Sequence, residues 1–191
     1  MNEIKRLYNF IFVFRHFILP NSLVALTDGN LSEPNVIVHV ARMVHTPAGS
    51  APAGMIFWQP DATAAPVVMG FVSNDPAVGA YFSPNIFAST PFENAPVLDA
   101  TIDITIEGDT ATARVETGSH VFVATLSGLA AAELINRAPG ATSPFTQQGL
   151  ERVPSSVTLT VDGTAIAMII PPVGISGGPA SVVAPCGIYA R

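Results

Sequence analysis

From about residue 35 onward, apolar and polar residues alternate along the chain with a period of two, interrupted by clusters of turn residues. This pattern is typical of short strands in antiparallel β-sheets. It is clearest in 97–126, where apolar residues at even positions alternate with Asp, Thr and Glu until Gly108-Asp109, and a second alternating run ends at Gly118-Ser119. The block therefore predicts a three-stranded meander with one buried face and one solvated face.

A second hairpin is predicted around Asp162-Gly163. The preceding run 157–161 alternates, and this dipeptide favours a type I′ turn between two strands. The returning run 165–170 is apolar at nearly every position. Such a run predicts a strand that is buried on both faces, in the middle of a sheet.

The remaining punctuation by Pro, Gly and Asn predicts further strands at 35–45, 55–59, 66–73, 80–88 and 180–190. One helix is predicted at 128–137, with Ser127 as its N-cap and Pro139-Gly140 at its end, followed by a long loop over 139–155. Many short strands with one short helix predict an all-β fold. We expect a single antiparallel barrel, calycin-like or similarly closed, with a two-sheet sandwich as the alternative.

The first 29 residues differ from the rest of the chain. A charged start, Met1 to Arg6, leads into apolar runs that Arg15-His16 and Pro20-Asn21 interrupt. We interpret 1–29 as a hydrophobic N-terminal segment that is a signal, a surface anchor or a disordered stretch, and 30–191 as the all-β barrel domain. The missing small residue before a cleavage site favours a cytoplasmic location over export, and the runs are too short for an integral membrane span.

Composition narrows the function classes. Charged residues make up 12% of the chain, the formal net charge is −6, and there is a single cysteine. An acidic chain without a basic patch argues against nucleic acid as a partner. One cysteine excludes an intramolecular disulfide and cysteine-based metal sites. No cofactor and no metal are predicted.

Three histidines are candidates for chemistry. His39 and His45 share odd positions on one predicted strand, opposite its valines, and His120 begins another strand. Six residues of extended strand separate His39 from His45 by ~20 Å, so one metal ion cannot bind both. We expect His39 or His120 to act, if at all, as a lone acid or base inside the barrel. Arg42 falls among the valines and is expected to need a carboxylate if it is buried.

Aromatic residues supply either a plain core or the lining of a ligand cavity. The candidates for ligand binding are Phe57, Trp58, Tyr81, Phe82 and Phe122. The leading hypothesis is a small apolar molecule bound inside the barrel, with acid or base chemistry of an isomerase or cyclase type by an interior histidine as an option. Whether the protein is an enzyme stays open at this point. A homo-oligomer is compatible with the pattern.

A glycine-rich string near the C-terminus suggests another function. Gly174-Ile175-Ser176-Gly177-Gly178-Pro179 resembles the nucleophile loop of chymotrypsin-like serine proteases, and His39 or His45, Asp99 or Asp103, and Ser176 follow that family's chain order. The resemblance implies a serine hydrolase with Ser176 as nucleophile. Ile175 stands where the family has Asp, which favours a plain glycine-rich connection between the last two strands. A third hypothesis is a structural or protein-interaction β-sandwich.

Overall fold

A computed structural model describes residues 15–88, 90–139, 145–174 and 177–190, and the side chains of 21–188 within those ranges. It contains twelve strands and one helix, α1, in these ranges. The strands are β1 (Arg15–Ala25), β2 (Val36–Thr46), β3 (Gly49–Trp58), β4 (Val68–Ser73), β5 (Val97–Glu107), β6 (Thr110–Thr117), β7 (Val121–Ser127), β8 (Glu133–Arg137), β9 (Thr146–Arg152), β10 (Ser156–Val161), β11 (Thr164–Ala165) and β12 (Ser181–Ala190), and α1 is Pro76–Asn85. The all-β prediction is confirmed.

All twelve strands belong to one sheet in the order β11-β10-β7-β6-β5-β4-β3-β2-β1-β12-β9-β8. Neighbouring strands are antiparallel except β4 and β5, which are parallel. Parallel neighbours need a crossover connection, and α1 with the segment that follows it provides one. Among the described residues, the two outermost strands do not pair with each other, so the hydrogen-bonded ladder is not closed.

The main core lies on one face of this sheet and draws on both of its halves. Val38 on β2 and Ile56 on β3 belong to the same buried cluster as Ile102 on β5 and Phe122 on β7. Side chains from strands so far apart in the order meet only if the sheet curves strongly. The Arg42 guanidinium shows the same curvature, since it donates a hydrogen bond from β2 to the carbonyl of Ile104 on β5.

A single bridge links the two halves at a further point. Leu26, just after β1, pairs with Ile169, just after β11, through two backbone hydrogen bonds of 2.9 and 2.8 Å. Ile166, Met168 and Ile170 from the same stretch pack partly against the main core. The chain after β11 therefore runs from the first strand of the sheet order to the end of β1 and packs on the main core.

The opposite face of the sheet carries α1. Val78 and Phe82 of α1 pack with Met55 on β3 and Phe71 on β4 in a second buried cluster. A third, smaller cluster joins Val24 on β1 to its neighbours Ile37 and Ala180. We call this side of the sheet the helix face, and the side that carries the main core the inner face.

The predicted meander and type I′ hairpin are present. β5, β6 and β7 pair in sequence. Of the even-numbered positions of β5, Ala100, Ile102 and Ile104 are buried and the two outer ones are partly buried, while Asp99 and Asp103 are exposed. Asp162 and Gly163 both have positive φ, 52° and 79°, as a type I′ turn requires.

Several predicted elements are wrong. Residues 76–85 form α1 instead of part of a strand at 80–88, because Asp75 caps the helix by accepting hydrogen bonds from the backbone N–H groups of Ala77 and Val78. The helix predicted at 128–137 is absent, and β8 lies there, paired with β9, which itself occupies part of the predicted loop. Pairing with a neighbouring strand outweighs the helix propensity of this alanine-rich stretch.

The return run 165–170 is also not a central strand. Only Thr164–Ala165 pairs with β10, and Ala167 and Ile169 are exposed. Since β11 is the outermost strand of the sheet, it has solvent where a central strand would have a neighbour.

β1 comes from the stretch that the sequence assigned to the N-terminal segment. It lies between β2 and β12, near the middle of the sheet, and pairs with both along most of its length. Residues 15–25 therefore belong to the same sheet as the strands that follow. Residues 1–14 lie outside the described part of the chain.

Candidate functional site

His39 lies in the middle of β2 on the helix face. Its register partners are Met55 on β3 and Ser22 on β1. Its neighbours two positions away, Ile37 and Ala41, belong to the two buried clusters of this face. His39 is thus a polar position within a largely apolar stripe that crosses three strands.

The imidazole of His39 is half-buried and makes no hydrogen bond within the described part of the chain. Desolvation lowers its pKa to about 4, because removing water penalises the charged form and no acidic partner compensates. The imidazole is therefore neutral at pH 7. It has one nitrogen that can accept a hydrogen bond or a proton and one that can donate a hydrogen bond.

A group of phenylalanines lies on the same face of the sheet as His39. Phe57, the diagonal neighbour of His39 across the β2–β3 pair, contacts Phe92 edge to face with ring centroids 5.5 Å apart. Phe92 in turn contacts Phe87 at 6.1 Å, and Phe87 contacts Phe71 at 5.2 Å. Phe71 also stacks on Phe82 of α1 at 5.9 Å. The aromatic rings form one continuous layer between the sheet and the segment that covers it.

The covering segment 76–95 is anchored at both ends. Ser73 accepts a hydrogen bond from the Asp75 backbone N–H at 3.1 Å and donates one to the Pro52 carbonyl at 2.8 Å, which ties the start of α1 to β3. Farther along, the Ser83 hydroxyl donates to the Glu93 carbonyl within the segment, and just after the segment the Phe71 N–H of β4 donates to the Pro96 carbonyl at 2.9 Å. These bonds hold the phenylalanines that the segment contributes over the sheet.

The sequence-predicted ligand residues divide between the two faces. Phe57, Phe82 and His39 lie on the helix face, where Tyr81 also occupies α1, whereas Trp58 and Phe122 belong to the main core on the inner face. Phe57 and Trp58 are adjacent in β3, so the alternation of a strand sends them to opposite sides. They cannot line one lumen together, as the sequence analysis had expected.

His120 is far from His39 in the sheet. It precedes β7, while His39 lies on β2, and four other strands lie between β7 and β2 in the order. The His120 Nδ1 lies 2.7 Å from a carboxylate oxygen of Asp162, whose other oxygen accepts a 2.8 Å hydrogen bond from the Val121 backbone N–H. These contacts, the Val121 bond foremost, lower the pKa of Asp162. The pair clamps the β10–β11 turn to the start of β7.

His45 does not share a face with His39 as the odd numbering predicted. The pairing of β2 with β3 shifts register between Ala41 and Val44, and Val44 joins Ala41 in the cluster on the helix face. The His45 Nδ1 lies 2.7 Å from the Ser50 hydroxyl across the hairpin. A bulge of this kind interrupts the period of two, and nothing in the sequence marked it.

Ser176 lies outside the described residues, so its role as a nucleophile stays a prediction. On either side of it, the Gly174 N–H donates to the Gly178 carbonyl at 2.8 Å, and the Gly177 N–H donates to the Gly174 carbonyl at 3.1 Å. These two bonds show that the described glycines of the string form a tight loop before β12.

Asn21 was not predicted to be a functional residue. It lies on β1 between Val40 and Val183, its register partners, both of which belong to the main core. Its side chain is fully buried, and neither its amide nitrogen nor its amide oxygen has a hydrogen-bond partner within the described residues. The only signal in the sequence was an Asn within an apolar run. This Asn was interpreted as an interruption of the apolar runs in the N-terminal segment.

Arg42 is exposed, so the condition under which it was expected to need a carboxylate is not met. Its guanidinium bonds to a backbone carbonyl of β5. In the described ranges, no group of three or more His, Cys, Asp or Glu side chains is placed to hold a metal ion. No described helix is long and apolar enough to cross a membrane.

Comparisons with known proteins do not assign this chain to a family. No family model matches the chain, and no curated protein matches it significantly. Among solved structures, the chain is similar to acetoacetate decarboxylase from Legionella pneumophila subsp. pneumophila str. Philadelphia 1, with a TM-score of 0.38 and 13% sequence identity over 94% of this chain and 85% of that chain. The proposals below are therefore based on the residues of this chain alone.

Proposed function

We propose that this protein binds a small apolar molecule on the helix face, between the sheet and the segment 76–95, with His39 as the polar contact. The observation that carries the proposal is a half-buried imidazole without a hydrogen-bond partner in the described chain, set among Phe, Ile and Met side chains. A mostly apolar lining with one well-placed polar group is the usual composition of a small-molecule site.

The chemistry of His39 selects the class of ligand. A neutral imidazole has no charge to attract an ion, and no carboxylate lies near enough to it to raise its pKa. The preferred ligand is therefore an uncharged apolar molecule with one hydroxyl or carbonyl group. The same imidazole is competent to accept a proton from such a ligand, which is the form of acid or base chemistry that an enzymatic function would take.

The barrel is part of the same proposal. The bridge between Leu26 and Ile169 and the shared main core support a sheet that curls until its halves nearly meet. In such a barrel the proposed site lies on the outer wall beneath α1 rather than in the lumen. The alternatives are a two-sheet sandwich, a structural or interaction role without a ligand, and a homo-oligomer. The following test addresses the role without a ligand, and a measurement of mass in solution addresses the homo-oligomer.

The test compares two probes of the same shape, 1-naphthol and naphthalene. We expect the wild-type protein to bind 1-naphthol about 5-fold more tightly, because its hydroxyl donates to the imidazole and one such bond contributes about 1 kcal/mol. His39→Leu should remove this preference and leave naphthalene binding unchanged. Fluorescence titration of 1-naphthol, with competition by naphthalene, measures both affinities.

His120→Leu is the matched control, since it removes an imidazole that already has Asp162 as its partner. It should leave the preference for 1-naphthol intact. Equal preference in wild type and His39→Leu, or no binding of either probe, would contradict the proposed function and favour the structural role.

A further inference from the structure

We propose a second binding site on the inner face of the sheet, at Asn21, for a small uncharged molecule that carries a carboxamide or an un-ionised carboxylic acid on an apolar body. The site is separated from the proposed His39 site by the sheet itself. Neither the sequence analysis nor the proposed function uses Asn21.

The amide of Asn21 is fully buried and both of its polar ends lack partners among the described residues. Leaving two polar atoms buried and unpaired costs free energy that an apolar residue in the same place would not cost. A ligand that pairs with both atoms removes this cost.

The neighbours of Asn21 are small or apolar. Its register partner on β2 is Val40, whose own partner on β3 is Gly54, followed by Val72 on β4. On the other side lies Val183 of β12. This row places no side chain larger than valine beside the amide over four neighbouring strands.

The charges nearest this row argue against an ionic ligand. Arg152, the register partner of Val183, donates to the carbonyls of Leu129 and Ala130, and Arg42 donates to the carbonyl of Ile104. Both guanidinium groups thus already have backbone partners. The edge that Asn21 offers, one acceptor beside one donor, matches the donor and acceptor of an amide or of a neutral carboxyl group.

The experiment uses the full chain labelled with ¹⁵N and hexanamide as the probe. The side-chain NH₂ signal of Asn21 is identified as the one absent from Asn21→Leu. We expect hexanamide to shift this signal in a saturable manner, while 2-heptanone, which has no donor, binds at least 5-fold more weakly. Asn21→Leu should weaken hexanamide binding at least 10-fold, as expected for the loss of two hydrogen bonds.

Asn136→Leu, which removes an exposed amide on β8, is the control and should bind hexanamide as the wild type does. If Asn21→Leu does not fold, Asn21→Ser identifies the NH₂ signal in the same way, and the titration of that signal in the wild type decides. An Asn21 signal that does not respond to hexanamide indicates that ordered water alone satisfies the amide and overturns the proposal. Equal hexanamide binding by Asn21→Leu overturns it as well.

This result is separable from that of the proposed function. Asn21→Leu leaves the helix face unchanged, so its preference for 1-naphthol over naphthalene should equal that of the wild type. Failure of the hexanamide test therefore leaves the His39 proposal standing, and failure of the naphthol test leaves the Asn21 proposal standing.

Discussion

Two buried asparagines of this protein have opposite surroundings. Asn35, just before β2, is 3% exposed, and its side chain makes three hydrogen bonds: it accepts from the Thr27 backbone N–H at 2.9 Å and donates to the Thr27 hydroxyl at 2.6 Å and the Gln59 carbonyl at 2.8 Å. Asn21, in the middle of β1, is equally buried and makes none among the described residues.

The histidines repeat this contrast. The imidazole of His120 has Asp162 as a partner. The imidazole of His39 has no hydrogen-bond partner in the described chain, and His39 lies next to Asn21 in the β1–β2 register but on the other face. Polar groups at the ends of strands thus hold turns and connections together. The side chains of Asn21 in the middle of β1 and His39 in the middle of β2 make no such contact among the described residues, and we therefore propose that they bind ligands.

The largest effect is expected for Asn35→Leu. It leaves the Thr27 N–H and the Gln59 carbonyl without their partner, and each unsatisfied buried group costs about 1–3 kcal/mol. We expect the free energy of unfolding to fall by about 3 kcal/mol, measured by urea denaturation. Asn30→Leu, at an exposed turn, is the control and should change it by less than about 0.5 kcal/mol. A loss below about 1 kcal/mol for Asn35→Leu would remove the contrast between the two asparagines.

Asn21→Leu should have the opposite sign. Replacing an unpaired buried amide with an apolar side chain of similar size removes a desolvation cost, so the ligand-free protein should gain about 1–2 kcal/mol. Urea denaturation of protein refolded without ligand provides the measurement. A destabilised variant would mean that Asn21 has a partner in the free protein.

The burial of His39 predicts a pH dependence of the free energy of unfolding. Its pKa is about 4 in the folded protein against 6.5 when unfolded, so the unfolded chain binds a proton that the folded protein does not bind between these values. The stability contribution is present above pH 6.5 and is lost as the pH falls towards 4. His39→Leu should therefore lose less stability than the wild type between pH 7 and pH 4.5, by urea denaturation at each pH.

Other titratable groups near this face belong to the comparison. Asp75 caps the start of the covering segment, which contains Tyr81 and Glu93, and all three residues are present in both proteins. Their contributions cancel in the difference between wild type and His39→Leu. Identical pH profiles for the two proteins would contradict the burial of His39 in a neutral form.

The smallest effect is expected for Asp162→Asn. Asn tolerates the positive φ of this turn position, so the substitution removes the charge and keeps the turn. Because the pKa of Asp162 is lowered in the folded protein, its contribution is present above the unfolded value of 3.8 and lost as the pH falls below it. The wild type should be slightly more stable than Asp162→Asn at pH 6, and denaturation curves should converge below pH 3.

Local pattern sufficed where strands alternate cleanly between apolar and polar residues and short turns join them. The meander β5–β6–β7 and the Asp162-Gly163 turn depend on alternation and on turn chemistry within a few residues, and both were predicted. α1 was missed although Asp75-Pro76 is a good helix start, because the aromatic run after it also fits a strand. The 128–137 stretch became a strand because β9 lies beside it.

The candidate site was predicted only in part for the same reason. His39 and Phe57 were identified by residue type, but their grouping with Trp58 and Phe122 was wrong, and Asn21 was overlooked. Alternation with a period of two indicates which residues of a strand share a face of the sheet. It does not indicate which face is closed or covered by a helix, or where a bulge such as that between Ala41 and Val44 reverses the faces.

The sequence by itself therefore determined the fold class and the local hairpins, because these depend on interactions between residues close in the chain. Only the tertiary structure decided that β1 joins the middle of the sheet, that α1 covers the face of His39, and that Asn21 is enclosed without a partner. These features depend on contacts between strands that are distant in the sequence. The local pattern of apolar and polar residues is compatible with many pairings of such strands and does not select one.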